Sequence, residues 1–417
     1  MNLYIIIGSG MGVVYGIGTY IRELTAALRH SPINVCVVKI LSGKPQIQIE
    51  EIDNVRYFHI PTPVSEQRTI DPKRQDELYF RNVTYLLQLF IEDKNNLIFH
   101  FNYMEHKPLA DALKKVFDCK IVSVVHYLMS VMCLLGNSSK FSRIITQTDE
   151  LTNDEELSVK KYFQKEKEML LTTDKVIVLS NYTFNLLHQY FQIEKGKMIV
   201  INNGLADRQL TMDKQMLRQK YQIPDIPVVI FAGRLDDIKG LKYALQSFRL
   251  LLNTLPHCHF IIAGDGAFNI YMKECEDIWM HITWTGRVNK EKLYELYAIA
   301  DIGVMPSLYE PFGYVALEMM MHGLPIVATS TSGLNEVVDE TCGLKIPISE
   351  LPDKVEIDTE LLAEKIAYLL EHPEEAKIMG QNGRKRYLKE YSSKVFGNNM
   401  LEFYNSCELR VAPKLKN

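Results

Sequence analysis

The sequence has no apolar run long enough to cross a bilayer. A spanning helix needs about 18 or more largely uninterrupted apolar residues, and none of the 417 residues lies in such a stretch. Residues 1–8 have no basic segment and too short an apolar run for a signal peptide, and they are typical of a first buried strand. We therefore expect a cytoplasmic protein without a spanning helix.

Cysteine is sparse and there is no surplus of positive charge. The seven cysteines are odd in number and lie far apart, and no Cys-x-x-Cys occurs, which favours reduced and mostly buried thiols. The 47 Lys and Arg residues against 51 Asp and Glu residues give a net charge of −4, which argues against general nucleic-acid binding. A hydrophobic fraction of 47% excludes a chain that is mainly disordered.

What the sequence does contain is an alternation of short apolar runs with longer amphipathic stretches, and this pattern occurs twice. In the first half we predict strands at 3–7, 35–41, 97–101, 121–125 and 175–179, and helices at 19–29, 76–91, 108–116 and 155–171. In the second half we predict strands at 228–231, 259–263, 283–284, 302–305 and 325–328, and helices at 239–252, 290–299, 313–322 and 359–370.

Such alternation is typical of parallel sheets covered on both faces. We predict an α/β protein with two doubly wound, Rossmann-like domains that face each other across a cleft. The expected divisions are an acceptor-side domain at 1–204, a donor domain at 205–385, and a helical segment at 386–417 that packs back on the first domain. Ligands of these sheets bind beyond the carboxyl ends of the strands, so the loops there are the place to seek chemistry.

The strongest motif is a loop and helix start with two acids, Glu310 and Glu318, on either side of Gly313. The free N–H groups at the start of a helix hold phosphate oxygens. Carboxylates on both sides of that phosphate suit a nucleotide-sugar, with Glu310 on the sugar and Glu318 on the ribose. Glu318 also stands among apolar helix residues, where burial without a partner is costly.

Three other loops follow predicted strands. Gly233 and Arg234 precede Lys239. The arginine guanidinium can donate two parallel hydrogen bonds and the lysine ammonium supplies a compact charge, a combination that suits a diphosphate. His126 stands at a strand end in the expected cleft, whereas a lone histidine is otherwise more often a core residue. The glycine-rich stretch 8–19 permits close backbone approach, but it lacks the pattern of a dinucleotide-binding loop.

Together these residues resemble the large family of retaining glycosyltransferases called family 4, which has the two-Rossmann GT-B architecture. The family hallmark is Glu-x7-Glu, present here as Glu310 and Glu318. The other matching pieces are Gly16-Ile17-Gly18, Asn202-Asn203-Gly204, Gly233-Arg234, Lys239-Gly240, Gly264-Asp265-Gly266, and Ser332-Gly333 with Glu336.

The resemblance implies roles for individual residues. Arg234 and Lys239 would neutralise the leaving diphosphate, and His126 would lie near the transferred sugar. Glu310 would hold the sugar hydroxyls and Glu318 the ribose. The remaining expected donor contacts are Gly16, Gly18, Gly233, Arg287 near the base, and the backbone of Phe312, Gly313 and Tyr314.

It further implies a metal-independent enzyme without a cofactor, which takes a nucleotide-sugar, UDP- or GDP-linked, and retains the anomeric configuration with the leaving phosphate as base. The acceptor classes left open are a glycan, a lipid-linked, a peptide and a small-molecule acceptor. The apolar stretch 127–135 is read as core, with a peripheral membrane contact as the alternative. Two other functions stay open, namely a non-catalytic GT-B scaffold subunit and a nucleotide-sugar epimerase.

Overall fold

The computed structural model describes residues 1–8, 16–63, 72–147, 153–208, 210 and 212–407. Residues 9–15 of the expected first loop and residues 408–417 of the expected terminal segment lie outside this part of the chain. The described residues form two open sheets, each flanked by helices, and a small hairpin.

The first sheet contains eight strands. They are β1 Asn2–Ile7, β2 Asn34–Ser42, β3 Gln48–Ile52, β4 Val55–Pro61, β5 Leu97–Phe101, β6 Cys119–Val125, β7 Lys175–Val178 and β8 Met198–Val200. Their order is β3-β4-β2-β1-β5-β6-β7-β8, and every pair is parallel except β3 with β4. The helices of this half are α1 Gly16–Leu28, α2 Pro72–Phe90, α3 Lys107–Val116, α4 Met129–Met132, α5 Ser138–Thr146, α6 Asp154–Thr172 and α7 Asn181–Gln189.

The second sheet is parallel throughout, in the order β11-β10-β9-β12-β13-β14. Its strands are β9 Val228–Ala232, β10 His259–Ala263, β11 Ile282–Gly286, β12 Ile302–Met305, β13 Ile326–Thr329 and β14 Gly343–Ile346, and the hairpin consists of β15 Ile348–Glu350 and β16 Val355–Ile357. The helices are α8 Lys214–Lys220, α9 Leu241–Thr254, α10 Phe268–Glu274, α11 Lys290–Ile299, α12 Tyr314–Met321, α13 Leu334–Val337, α14 Thr359–Glu371, α15 Pro373–Arg386 and α16 Ser393–Ser406. Short 3-10 turns lie at Lys195–Lys197, Asp237–Lys239 and Trp279–His281.

Both faces of the sheets are covered, as the continuous apolar strands predict. All six residues of β1 are buried, and its side chains alternate between two apolar clusters, with Leu3, Ile5 and Ile7 in one and Tyr4 and Ile6 in the other. A strand that is apolar on both faces is stable only between two layers of helices. The predicted α/β class is therefore confirmed.

The two halves are joined by two neighbouring stretches of chain. The Leu205 N–H donates to the Tyr391 carbonyl at 3.0 Å, and the Ser393 N–H donates to the Leu205 carbonyl at 2.9 Å. A single π-helical turn, Tyr387–Tyr391, separates α15 from α16. Helix α16 then packs on the first half, where Tyr20 contacts Phe396 with ring centroids 5.5 Å apart.

Candidate active site

The predicted cations and acid of the cleft meet at the carboxyl edge of the second sheet. Lys239 follows β9 and Glu310 follows β12, and the Lys239 ammonium forms an ion pair with the Glu310 carboxylate. Arg234, on the loop of Lys239, lies 3.1 Å from Asp236. A ligand that binds here meets two cations, Arg234 and Lys239, and two carboxylates, Asp236 and Glu310.

Lys239 does not lie on a helix as expected, because the helix begins only at Leu241. Gly240 has φ 68°, a left-handed conformation that suits glycine, and a Cβ on this residue would overlap the Pro306 carbonyl. The turn aims Lys239 into the cleft. Gly233 has φ 151°, which side chains rarely adopt, and a Cβ there would lie at an ordinary contact distance of 3.9 Å from Cγ of Lys239.

The backbone of Glu310 is fixed from the next loop. The Ser332 hydroxyl accepts a hydrogen bond from the Glu310 N–H at 2.9 Å and donates one to its carbonyl at 2.7 Å. The same carbonyl accepts from the Leu334 N–H at 3.1 Å. The loop ends at Gly313, whose φ of 108° starts helix α12.

Glu318 is 1% exposed and has the partners that burial demands. One carboxylate oxygen pairs with the Lys290 ammonium, and the other accepts a hydrogen bond from the Tyr297 hydroxyl at 3.1 Å. Lys290 begins helix α11, three residues after the exposed Arg287 at the end of β11. Lys290 is not predicted as a site residue, because a lysine at a helix start is common and belongs to no motif.

His126 follows β6 at the carboxyl edge of the first sheet, as the topology predicts. Its Nε2 lies 2.9 Å from Oδ1 of Asn102, which in turn donates to the Ile6 carbonyl at 3.1 Å. The Tyr20 ring stands edge-on to it at 4.8 Å. These surroundings shield the imidazole from water and lower its pKa to about 3, so that it stays neutral at physiological pH.

The first helix faces the donor side of the second half. Gly16 is its exposed first residue, and a Cβ there would lie 3.7 Å from the Tyr314 ring; Gly18 lies two residues further along the helix. Burial raises the pKa of the Tyr314 phenol well above its usual range, and Glu23 of α1 adds to the shift. Phe312 is buried beside Tyr314 with ring centroids 6.1 Å apart.

Two acids of the second half cap two helices of the first half. The Glu336 carboxylate accepts hydrogen bonds from the N–H groups of Asn181 and Tyr182 at 2.9 and 2.6 Å, at the start of α7. Glu350 of the hairpin accepts from the Ser139 N–H at 3.0 Å and from the Ser138 hydroxyl at 2.9 Å, at the start of α5. Carboxylates at helix starts are stabilising, so both contacts hold the cleft together.

The apolar stretch 127–135 contributes to the core. Leu128, Val131 and Leu134 are buried in the second apolar cluster of the first half. All seven cysteines are free thiols. In the described ranges, no helix is long and apolar enough to cross a membrane, and no group of three or more His, Cys, Asp or Glu side chains could hold a metal ion.

The architecture is that of the GT-B glycosyltransferases. Sucrose-phosphate synthase of Thermosynechococcus elongatus superposes with a TM-score of 0.75 at 22% identity, over 97% of this chain and 98% of that one. HepE of Anabaena in complex with UDP and glucose superposes with a TM-score of 0.70 at 17% identity, over 97% and 100%. These likenesses confirm the predicted fold.

Family models match both halves of the chain. The model of glycosyl transferases group 1 matches residues 213–386, and that of glycosyltransferase family 4 matches residues 14–208. The alpha-D-kanosaminyltransferase of Streptomyces kanamyceticus is 27% identical over 197 residues, which are 46% of this chain and 49% of that protein. The matched regions span 49% of this relative and 44% and 30% of two further ones, an uncharacterized glycosyltransferase of Methanocaldococcus jannaschii and a sulfoquinovosyl transferase of Arabidopsis thaliana. The chain belongs to the group 1 glycosyltransferases of the family 4 type.

Proposed function

We propose that this protein is a retaining, metal-independent glycosyltransferase that moves a sugar from a nucleotide-diphosphate-sugar to an acceptor hydroxyl. The observation that carries the proposal is the ion pair of Lys239 with Glu310, beside Arg234, at the carboxyl edge of the second sheet. Two cations suit a diphosphate, and a carboxylate beside them suits the hydroxyls of the attached sugar. The complex of HepE with UDP and glucose supports a UDP-sugar as the first donor to test.

In the proposed reaction, the bond between the anomeric carbon and the diphosphate oxygen breaks. A bond from that carbon to the acceptor oxygen forms on the same face, and the acceptor proton passes to the leaving phosphate. Lys239 and Arg234 stabilise the negative charge that develops on the diphosphate. Preformed charge of this kind takes the place that a metal ion has in other transferases.

His126 serves as a neutral hydrogen-bonding group in this proposal. With its pKa lowered to about 3 it is not protonated near pH 7, so it offers the sugar a ring nitrogen without competing for the proton of the acceptor. Asn102 orients the ring through Nε2 at 2.9 Å. We place His126 beside the transferred sugar, opposite Glu310.

The remaining donor contacts follow the same geometry. Glu318 takes the ribose hydroxyls and Arg287 lies toward the base. The backbone N–H groups of Phe312, Gly313 and Tyr314 hold sugar and phosphate oxygens at the start of α12, while Gly16 and Gly18 let the first helix approach the donor closely.

The test is release of free nucleoside diphosphate from UDP-, GDP- and ADP-sugars by the purified chain in excess chelator. We expect turnover with one base class, and retention of configuration in the product by NMR. Lys239→Ala should lower turnover by about 10²–10³-fold, the scale for loss of one charge-stabilising donor, and Glu310→Gln should also be impaired. Lys242→Ala, which removes an exposed lysine from the next turn, is the matched control.

Each failure has a distinct meaning. Equal inertness of wild type and variants with every donor would favour the scaffold subunit, and strict dependence on added Mg²⁺ would contradict the charge argument. Conversion of the nucleotide-sugar without release of nucleoside diphosphate would identify an epimerase. A peripheral position at the inner membrane face stays a prediction, and the burial of Leu128, Val131 and Leu134 gives it no support.

A further inference from the structure

A separate pocket of about 300 Å³ opens in the first half beside His126. It lies beyond the carboxyl ends of β5 and β6, and helix α6 closes its far side. The polar side chains that line it, besides Asn102 and His126, are Tyr103, Glu105, Tyr127, Tyr162, Lys165 and Glu166. Its volume suits one or two small rings, on the scale of small-molecule sites.

The lining has a definite chemical character, with three phenol rings, two carboxylates and one ammonium. Ionised carboxylates only accept hydrogen bonds, so they pair best with ligand groups that donate them. Phenol rings offer an apolar face together with a polar tip. Hydroxyl groups on a ring or chain of C–H carbons match both features. A phosphate or carboxylate ligand would instead face the Glu105 carboxylate, with Lys165 as the one cation among the lining residues.

One lining group has no partner within the described chain. Tyr103 is 5% exposed, and its buried hydroxyl makes no hydrogen bond to any described residue. An unpaired buried polar group costs about 1–3 kcal/mol. A ligand hydroxyl in this pocket would remove that cost, which is an independent indication that the pocket receives a ligand with a hydrogen-bonding group.

The base of the pocket is held rigidly. Glu166 is 4% exposed, and its carboxylate accepts from the Met129 N–H and from the Ser130 hydroxyl, each at 2.5 Å. Burial raises its pKa to about 7 despite these bonds. The contacts fix the turn that follows His126, so the pocket is formed before anything binds.

The pocket is lined by His126, which the proposed function puts beside the transferred sugar. The Tyr127 phenol is shielded by burial, which raises its pKa to about 12; the charges of Glu105 and Glu166 raise it further, and that of Arg234 lowers it. Tyr127 lines the pocket with Glu105 and Glu166, and it also lies within electrostatic range of Arg234 on the donor loop. A ligand in the pocket can present a hydroxyl toward the anomeric carbon.

We infer that this pocket binds the acceptor, that the acceptor ends in an uncharged, hydroxyl-rich unit such as a neutral sugar, and that Glu105 selects against phosphate. The inference rests on the proposed transferase function and narrows its acceptor class. Tyr103 and Tyr162 pack on the unit and hydrogen-bond it, and Glu105 accepts from its hydroxyls at the rim.

The test compares neutral acceptors with their phosphorylated counterparts, namely methyl glucoside, maltose and glycerol against glucose 6-phosphate and glycerol 3-phosphate. The readout is nucleoside diphosphate release above the acceptor-free hydrolysis rate, with the donor found in the screen above. We expect a neutral sugar to stimulate release at least tenfold more than its phosphate. Glu105→Lys should shift this ratio tenfold toward the phosphate, and Glu168→Lys, at an exposed glutamate of α6 that does not line the pocket, is the matched charge control.

Tyr103→Phe supplies a second measurement that does not depend on charge. It should raise KM for the neutral acceptor several-fold and leave the affinity for nucleoside diphosphate, measured by calorimetry, unchanged. Preference for phosphorylated acceptors, an unchanged ratio in Glu105→Lys, or donor hydrolysis that no neutral acceptor stimulates would each overturn the inference while leaving the donor function standing. Failure of every nucleotide-sugar to bind would instead remove the proposed function, and this inference with it.

Discussion

Ser332 holds the backbone of Glu310 at both of its polar groups, accepting from the N–H at 2.9 Å and donating to the carbonyl at 2.7 Å. Ser332 itself has φ 39°, in the left-handed region that few residues other than glycine adopt. The chain thus accepts local strain to keep a hydroxyl at this position. Strain of this kind is typical of functional sites.

We predict that Ser332→Ala lowers turnover by about 10- to 100-fold, because a displaced Glu310 no longer meets the sugar correctly. The affinity for nucleoside diphosphate should stay unchanged, since the cations of the donor loop are untouched. Ser332→Gly relieves the strain and still loses the hydroxyl, so it should be more stable than Ser332→Ala and equally slow. Initial rates and calorimetry on both variants, with Ser330→Ala as control, check this; normal turnover in Ser332→Gly would contradict it.

We predict that Glu318→Gln weakens binding of the nucleoside diphosphate by about 10- to 100-fold. Charge-assisted hydrogen bonds are worth about 1.5–3 kcal/mol, and the amide cannot accept at both of its positions. Tyr297→Phe, which removes the 3.1 Å partner of the same carboxylate, should have a smaller effect. Calorimetric titration with the nucleoside diphosphate decides the point, and wild-type affinity in Glu318→Gln would remove this residue from the donor site.

The caps formed by Glu336 and Glu350 should set how tightly the halves close. Loss of a helix cap costs about 0.5–2 kcal/mol, so we expect Glu336→Gln combined with Glu350→Gln to favour an open arrangement. The radius of gyration from small-angle scattering should increase, and KM for the donor should rise. Glu356→Gln on the same hairpin, where Glu356 pairs with Lys354 at 2.5 Å, is the control. An unchanged radius of gyration in the double variant would show that the caps do not govern closure.

Stability should fall in mild acid because of buried histidines. Burial lowers the pKa of His106 to about 4 and that of His100 to about 3, against about 6.5 for an exposed histidine. Above pH 6.5 both histidines are neutral in the folded and the unfolded chain, and the free energy of unfolding has its full value. As the pH falls toward the pKa values of the folded protein, protonation of the unfolded chain lowers the free energy of unfolding by up to about 1.4 kcal/mol per pH unit for each group. Urea unfolding of His106→Phe between pH 7 and pH 5 should show a shallower pH dependence than wild type. The variant His30→Gln, at an exposed histidine, should keep the pH dependence of the wild type. Equal pH dependence in His106→Phe and wild type would show that His106 does not cause the loss of stability in acid.

The sequence predicted the strands that form the two sheet centres because each is a continuous apolar run. It missed the edge strand β3 for the opposite reason, since Gln48–Ile52 is mostly exposed and reads as polar chain. Helix α4 was missed because its four residues, Met129–Met132, are too few to show a helical period. Element type was therefore readable where burial was complete on both faces.

For the site, the sequence located the groups but could not assign their partners. Lys239 and Glu310 were placed in one cleft by topology, and the structure brings them into contact. The pairing of Glu318 with Lys290 joins α12 to α11 and leaves no mark on either segment. Asn102 follows β5 directly, so the topology argument that predicts His126 as a site residue could also have predicted Asn102. The roles assigned to these residues stay predictions.

The last described helix, α16, belongs in space to the half that is synthesised first. The Tyr404 hydroxyl lies 2.8 Å from Nδ1 of the buried His100, and the Tyr20 hydroxyl lies 4.0 Å from Sδ of Met400. During synthesis on the ribosome, the first half therefore emerges before α16, the helix that covers part of its apolar core, has been made. The core of the first half is completed only after the second half and then α16 have left the exit tunnel.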